Sequence, residues 1–178
     1  EALKNAGART VIIADPHKYF LFQVDLPRLV GKLPFDIVFI TDYLWRLVQL
    51  GQLKLTNEVS INATYHDPCT LNKLTGLWES PRHLIKAIPG VEFRDEDHVS
   101  QWSYCCGNGV GGFKKLHPEI SSRIGAKRIR RAADLGCDTL VLACPHCKDH
   151  FTEVLKQSRM KMELMDVVEL VAKATGAD

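Results

Sequence analysis

The sequence predicts an α/β fold, an open and mostly parallel sheet with helices on both faces, built from Rossmann-like half-units that an internal repeat relates. Short continuous apolar runs alternate along the chain with amphipathic stretches, and such runs are typical of strands buried in a parallel sheet. Several runs are followed by a Pro or Asp that suits the start of a helix. Strands and helices that alternate in this way favour a parallel sheet covered on both sides.

The first part of the chain contains two predicted strands. Residues 1–6 have the pattern of a helix end. The run TVIIA at 10–14 ends at Asp15-Pro16, as a buried strand would, and DIVFI at 36–40 is a second run of the same kind. Residues 41–51 carry their apolar side chains on one stripe and end in Gly, which predicts a helix.

The middle of the chain repeats the alternation. Residues 60–67 predict a strand, and Asp67 followed by Pro predicts a helix start with Asp67 as its N-cap. Residues 80–88 predict a helix, residues 91–95 a strand, and residues 118–136 a long amphipathic helix.

The last part of the chain completes the pattern. Residues 138–145 predict a strand, residues 146–157 a helix, and residues 160–176 a strand followed by a helix. Ligands of open parallel sheets bind beyond the C-terminal ends of the strands. The segments TYHDPC and VLACPHC both place cysteines at that edge.

Composition and charge exclude several classes of protein. Hydrophobic residues make up 46% and charged residues 25% of the 178 residues, as in ordinary globular domains. The net charge of +2 is too small to indicate nucleic-acid binding. No apolar run approaches the roughly 18 residues that span a bilayer. We therefore predict a cytoplasmic location, with at most peripheral attachment to a membrane complex.

Five of the six cysteines form an ordered set. Between Cys69 and the adjacent pair Cys105-Cys106 lie 35 residues, and another 37 residues separate that pair from Cys144-Pro-His-Cys147. Thiolates are the soft ligands that iron–sulfur clusters and zinc select. A Cys-x-x-Cys pair lets one turn of backbone supply two ligands. The pattern predicts one metal or redox centre that uses all five cysteines.

The adjacent cysteines favour an open cluster. Side chains of neighbouring extended residues point apart, so they rarely reach one compact cubane but can reach separate irons of a more open cluster. Gly107-Asn108-Gly109 permits the turn that this requires. We also expect this glycine-rich backbone, at Gly107 and Gly109, to donate hydrogen bonds to sulfur. His66 and His146 flank predicted ligands and are expected to form hydrogen bonds around the centre rather than to bind metal.

Two segments indicate the internal repeat. GARTVIIADPHK at 7–18 aligns with GCDTLVLACPHC at 136–147, and Asp42–Leu47 aligns with Asp166–Val171. In the first alignment Asp15 and Lys18 occupy the places of Cys144 and Cys147. The simplest interpretation is that a preceding unit has lost this pair of thiolates.

Four motifs resemble one known family. Tyr65-His-Asp-Pro-Cys69, Cys105-Cys-Gly107, Gly111-Gly112 and Ala143-Cys-Pro-His-Cys147 are similar to the cysteine-rich "CCG" domain of heterodisulfide reductases and of the iron–sulfur subunits of glycolate and lactate oxidation systems. The family implies two such domains in each subunit. It also implies a noncubane [4Fe–4S] cluster on five cysteines, or zinc in some degenerate copies. The matching ligands are Cys69, Cys105, Cys106, Cys144 and Cys147.

The resemblance implies a domain organisation. Residues 1–55 would be the tail of a preceding degenerate CCG-like unit, and residues 56–178 a complete cluster-binding domain. Two departures stand out: Asn108 and Val110 interrupt a run that is usually all glycine, and the first unit lacks the thiolates at its matching positions. The second departure argues against disulfide reduction by a matched pair of clusters.

The implied function is electron transfer in a heterodisulfide-reductase-like oxidoreductase subunit. Its partners would be other redox subunits, iron–sulfur or flavoprotein, and its acceptor a disulfide or a quinone-type molecule. The basic stretch Arg123–Arg131 is either a solvated helix face or a surface for an acidic electron-transfer partner. Cys137 lies outside the motif and is expected to be a small buried hydrophobic residue.

Three alternatives use the cysteines differently. A structural zinc site takes four ligands and would leave one of the five idle. A metal-free thiol–disulfide oxidoreductase would use only Cys144 and Cys147. A disulfide framework is typical of small, loop-rich secreted proteins, whereas this chain has long helices and enough residues for a core.

Overall fold

The protein is described by a computed structural model that covers residues 2–176, and within that range it contains six strands. The strands are β1 Thr10–Ile13, β2 Asp36–Phe39, β3 Ile61–Tyr65, β4 Val91–Phe93, β5 Thr139–Leu142 and β6 Glu163–Asp166. The α-helices are α1 Ala2–Asn5, α2 Pro16–Phe20, α3 Leu26–Val30, α4 Ile40–Gln49, α5 Glu79–Ala87, α6 Gly112–Leu116, α7 Pro118–Asp134, α8 Pro145–Ser158 and α9 Val167–Thr175. Among these helices, none has the length and apolar character needed to cross a membrane.

The strands form two parallel sheets. Strands β4-β3-β5-β6 make a four-stranded sheet, and β1 pairs with β2 in a separate two-stranded sheet. Ala63 of β3 lies opposite Phe93 of β4 on one side and Thr139 of β5 on the other. The α/β class and the parallel strands are therefore confirmed, with the strands divided between two sheets.

The larger sheet contains a topological switch point. From β3 the chain moves outward through α5 to β4, and it then returns through α7 to β5 on the other side of β3. The connections that follow β3 and β5 therefore diverge and leave a crevice at their C-terminal ends. Cys69 follows β3 and Cys144 follows β5, so both cysteines lie at this crevice.

Helices cover both faces of the larger sheet. Successive strand residues point to opposite faces, so each strand contributes side chains to two cores. Tyr65 and Val141 pack with residues of α5 and α9 in one core. Leu140 and Leu142 pack with residues of α7 and α8 in a second core, which also contains Cys106, Cys144 and Cys147. The cysteine site therefore lies at the edge of the second core.

Residues of β1, α2 and β2 share the first core. Ile13, Tyr19 and the fully buried Phe39 belong to the same cluster as the residues of α5 and α9. The hydroxyl groups of Thr41 and Ser80, both buried, are hydrogen-bonded at 2.9 Å and link α4 to α5.

The structure differs from the sequence prediction in several places, including the following two. Residues 16–30, for which the sequence predicts no regular element, form α2, a π-helical turn at Leu21–Asp25 and α3. Asp67 is not an N-cap, because its carboxylate binds the Arg82 guanidinium and the backbone N–H of Ser100 instead. The helical turn that follows it, Thr70–Leu74, is a π-helix.

The internal repeat stays a prediction. Its first segment matches element by element, since β1 leads through Pro16 into α2 as β5 leads through Pro145 into α8. The second segment is out of register: Asp42 is the third residue of α4, whereas Asp166 precedes α9 and caps it.

Candidate metal centre

The five cysteines of the motif lie together in one pocket at the switch point. They come from three places: the turn after β3, the loop before α6 and the first turn of α8. The pocket is lined by His17, Pro68, Cys69, Thr70, Cys105, Cys106, Asn108, Gly109, Val110, Cys144, His146 and Cys147. Cys137 does not line the pocket and is buried just before β5.

The five thiols lie close enough to influence one another. Cys147 Sγ lies 3.3 Å from Cys106 Sγ. Interactions between the thiols also shift the pKa values of Cys69 with Cys105, of Cys105 with Cys106, and of Cys144 with Cys147. All five thiols are free, and only those of Cys69 and Cys105 are partly exposed. One edge of the sulfur group therefore faces the outside.

The thiols differ in acidity because each hydrogen bond has one donor and one acceptor. Hydrogen bonds from the Cys106 and Cys69 thiols lower the pKa of Cys105, and the Cys147 thiol lowers the pKa of Cys144. The donors change in the opposite direction: hydrogen bonding to Cys105 raises the pKa of Cys106 to about 12. Neighbouring thiolates repel each other in a buried site. All five can ionise together only with a bound cation.

The backbone after the cysteine pair turns as the sequence predicts. Gly107 has φ +97°, and a Cβ there would lie 2.7 Å from the carbonyl oxygen of Ser121. The N–H groups of Gly107 and Asn108 point at Cys105 Sγ and Cys106 Sγ, at 3.3 and 3.5 Å. The turn thus places two donors beside two sulfur atoms.

The Asn108 side chain joins this turn to the Cys-x-x-Cys segment. Its Nδ2 donates to the carbonyl oxygen of His146 at 2.8 Å, and its Oδ1 accepts a hydrogen bond from the N–H of Gly111. In the sequence, Asn108 is visible only as an interruption of a glycine run. Its role depends on a residue 38 positions away, so no local pattern indicates it.

Two buried ion pairs support the site, and neither is evident from the sequence. Arg82 binds Asp67 at 2.8 and 2.7 Å and also binds Asp95, which ties the segment before Cys69 to α5. Arg128 of α7 binds Glu96 through two hydrogen bonds, and both side chains are 3% exposed.

The prediction that Arg128 lies on a solvated or partner-binding helix face is wrong. Arg128 lies on the buried side of α7 with Ser121, Gly125 and Ala132. The spacing of these small residues is the signal in the sequence that could have indicated burial, because residues three or four apart share one helix face.

His66 lies beneath the sulfur atoms. It is fully buried, and its ring packs edge-on against Phe151. Burial, and then the charge of Arg128, lower the pKa of His66 to about 3. One ring nitrogen of His66 and the Sγ atoms of Cys106 and Cys147 all lie within 4.8 Å of one another.

His146 lies at the pocket mouth, next to the first part of the chain. Its Nε2 is 3.4 Å from the carboxylate of Asp15, and its ring meets that of His17 edge-on at 4.9 Å. Asp15 also accepts hydrogen bonds from the N–H groups of His17 and Lys18 and so caps α2. Asp15 therefore borders the cysteine pocket.

The family model described as "CCG: Cysteine-rich domain" matches residues 63–152. The chain belongs to the CCG family. The matched region begins in β3 and ends in α8, so it includes all five cysteines of the pocket.

Several known proteins that resemble this CCG chain are redox proteins by name. It is 36% identical over 177 residues to a subunit of "Dihydromethanophenazine:CoB–CoM heterodisulfide reductase" of Methanosarcina barkeri, covering 99% of this chain and 43% of that protein. It is 29% identical over 173 residues to "Probable iron-sulfur-binding oxidoreductase FadF" of Bacillus subtilis, covering 96% and 24%. It is 28% identical over 184 residues to "EtfAB:quinone oxidoreductase" of Syntrophomonas wolfei, covering 98% and 25%. The chain thus spans less than half the length of these relatives.

Proposed function

We propose that Cys69, Cys105, Cys106, Cys144 and Cys147 hold one [4Fe–4S] cluster of the noncubane type, and that the chain is an electron-transfer domain of a heterodisulfide-reductase-like subunit. The convergence of five free thiols in one pocket carries this proposal. The chain's similarity to a heterodisulfide reductase subunit and to an iron–sulfur-binding oxidoreductase supports it.

The donor set suits an iron–sulfur cluster better than a structural zinc ion. Zinc is satisfied by four ligands in a closed tetrahedron, whereas five thiols meet here. Five cysteines around one pocket suit a group with several metal ions.

The surrounding residues exclude water and orient the thiolates. A bound iron–sulfur cluster supplies one-electron redox chemistry at a potential set by its surroundings. The N–H groups of Gly107 and Asn108 stabilise negative charge on the sulfur atoms of the cysteine pair. Cys69 and Cys105 face outward, so an electron acceptor approaches from their side.

The partners and acceptor follow from the relatives. We propose that other redox subunits, iron–sulfur or flavoprotein, exchange electrons with this domain and that the acceptor is a disulfide or quinone-type molecule, since the names of the relatives include both classes. Residues 56–178 would be the complete cluster-binding domain and residues 1–55 the tail of a preceding unit. A cytoplasmic location at the periphery of a membrane complex is consistent with this role.

Metal analysis of anaerobically purified protein tests the cluster. We expect iron and acid-labile sulfide in equal amounts. Replacing any of the five cysteines by Ser should reduce both, whereas Cys137→Ser, which alters a buried cysteine outside the pocket, should leave both unchanged. Iron-free protein that contains one zinc ion per chain would contradict the proposal.

A metal-free dithiol oxidoreductase is the second candidate. It is favoured by Cys144, whose pKa is lowered by the Cys147 thiol at the start of α8, as in reactive Cys-x-x-Cys pairs. This function needs neither Cys69 nor Cys105. Disulfide-exchange activity that survives both Cys69→Ser and Cys105→Ser would favour it over the cluster.

A further inference from the structure

His66 has one ring nitrogen paired and the other free. Nδ1 lies 3.4 Å from Nη2 of Arg128. Nε2 is buried and has no hydrogen-bond partner among residues 2–176. A buried polar atom without a partner costs free energy and calls for an explanation. One ring nitrogen of His66 lies within 4.8 Å of the Sγ atoms of Cys106 and Cys147, and a sulfur atom can accept a hydrogen bond.

Arg128 determines which nitrogen carries the proton. A guanidinium group only donates hydrogen bonds and has no acceptor site. Nδ1 of His66 must therefore offer its lone pair to Arg128, and the single ring proton must be on Nε2. Arg128 cannot turn away, because Glu96 holds it through hydrogen bonds of 2.5 and 2.6 Å.

We propose that Glu96 and Arg128 lock His66 in its Nε2–H tautomer, and that this N–H donates a hydrogen bond to a sulfur atom of the cysteine site. Arg128 is then a positioning residue that acts through His66. The inference rests on the proposed cluster for its functional meaning but not for its geometry.

The same logic excludes His66 as a metal ligand. A histidine binds metal through a nitrogen lone pair. Coordination through Nε2 would move the proton to Nδ1, where it would point at the N–H groups of Arg128. His66 is therefore a donor to sulfur. Hydrogen bonds to sulfur stabilise the more negative, reduced form of an iron–sulfur centre and raise its potential.

The tautomer can be measured in the full chain without metal. Long-range proton–nitrogen NMR correlations of histidine-labelled protein distinguish protonated from bare ring nitrogens. We expect His66 to be protonated at Nε2 alone. In the double variant E96Q/R128M, which removes both charges of the pair and so leaves neither buried without its partner, we expect both tautomers. The Nδ1–H form in the unmodified protein, or no change in the variant, would overturn the proposal.

Arg131→Met is the matched control. Arg131 lies on the same helix and approaches the same Glu96 carboxylate at 3.7 Å, whereas it is Arg128 that reaches the His66 ring. We expect this variant to keep the Nε2–H tautomer. A mixture of tautomers in this control would show that the loss of any nearby positive charge suffices, which contradicts the specific role of Arg128.

The cluster-loaded protein provides a second, independent readout. We expect His66→Leu to retain its iron and to shift the midpoint potential downward in an EPR-monitored redox titration. His66→Gln, which keeps an N–H donor, should lie between His66→Leu and the unmodified protein. Loss of iron from His66→Leu to the level of a cysteine variant, or an unchanged potential, would overturn the proposal. Protein that binds only zinc would refute the proposed cluster but not the proposed tautomer of His66, which the NMR experiment on metal-free protein tests separately.

Discussion

At the scale of single residues, buried charges hold the loops that carry the ligands. The Arg82 side chain is 6% exposed and binds the carboxylate of Asp67, two residues before Cys69, as well as that of Asp95 after β4. Neither loop has regular secondary structure at these positions. The guanidinium group therefore fixes segments that no backbone hydrogen-bond ladder holds.

Arg82→Met should destabilise the metal-free protein by about 3–5 kcal/mol, because it leaves the Asp67 carboxylate buried without its partner. Urea unfolding under reducing conditions measures this loss. Lys173→Met is the control, since Lys173 and Glu163 form an exposed pair at 3.9 Å, and it should cost at most about 1 kcal/mol. Equal losses in the two variants would contradict the structural role of Arg82.

At the scale of elements, the close approach of α7 and α8 closes the second core. Gly125 of α7 faces α8, and a Cβ there would lie 2.9 Å from Val154 Cγ2 and 3.1 Å from His150 Nε2. The carbonyl oxygen of Cys106 would be 3.3 Å away. Packing is therefore the reason for a glycine here. The backbone conformation is not, because the φ of Gly125 is not positive.

Gly125→Ala should therefore destabilise the protein by a net amount of about 1–2 kcal/mol, although alanine favours helices. Gly112, at the start of α6, has an ordinary helical φ, and a Cβ added there would meet nothing within 4 Å. Gly112→Ala should accordingly be neutral or stabilising by up to about 1 kcal/mol. Thermal or urea unfolding compares the pair. A stabilising Gly125→Ala would show that the two helices have room to separate.

At the scale of the whole molecule, the two sheets share one core. Phe39 of β2 is fully buried and meets the Tyr19 ring at 5.4 Å, in the same cluster as Leu84 of α5 and Leu170 of α9. The segment before residue 56 is thus part of one packed body with the cysteine domain. His17 from this segment also lines the pocket.

Phe39→Ala should lower the free energy of unfolding by about 3–5 kcal/mol. Because the core is shared, far-UV circular dichroism and tryptophan fluorescence should report one coincident transition that shifts as a whole. Leu29→Ala, at a side chain that is 79% exposed, should change stability by at most about 0.5 kcal/mol. Two separate transitions, with only one of them shifted, would show that the sheets unfold independently.

Local patterns in the chain were enough to predict the class of the fold and the cysteines that meet in the pocket. Apolar runs predict β1 and β2 because a buried parallel strand has no polar face. The number and spacing of the cysteines indicate the candidate ligands, because thiolates are the soft ligands that zinc and iron–sulfur clusters select. The chemistry of the candidate centre therefore follows from five residue identities and their order.

The surroundings of those cysteines, by contrast, are determined by the tertiary structure and not by any local pattern in the sequence. Arg82 with Asp67, Arg128 with Glu96, and Asn108 with His146 join residues 15, 32 and 38 positions apart. The free energy of a buried polar group depends on the partner that replaces water, and packing decides which partner that is. For the same reason Arg128 has the sequence context of a surface residue but lies beneath the cysteine site in the fold.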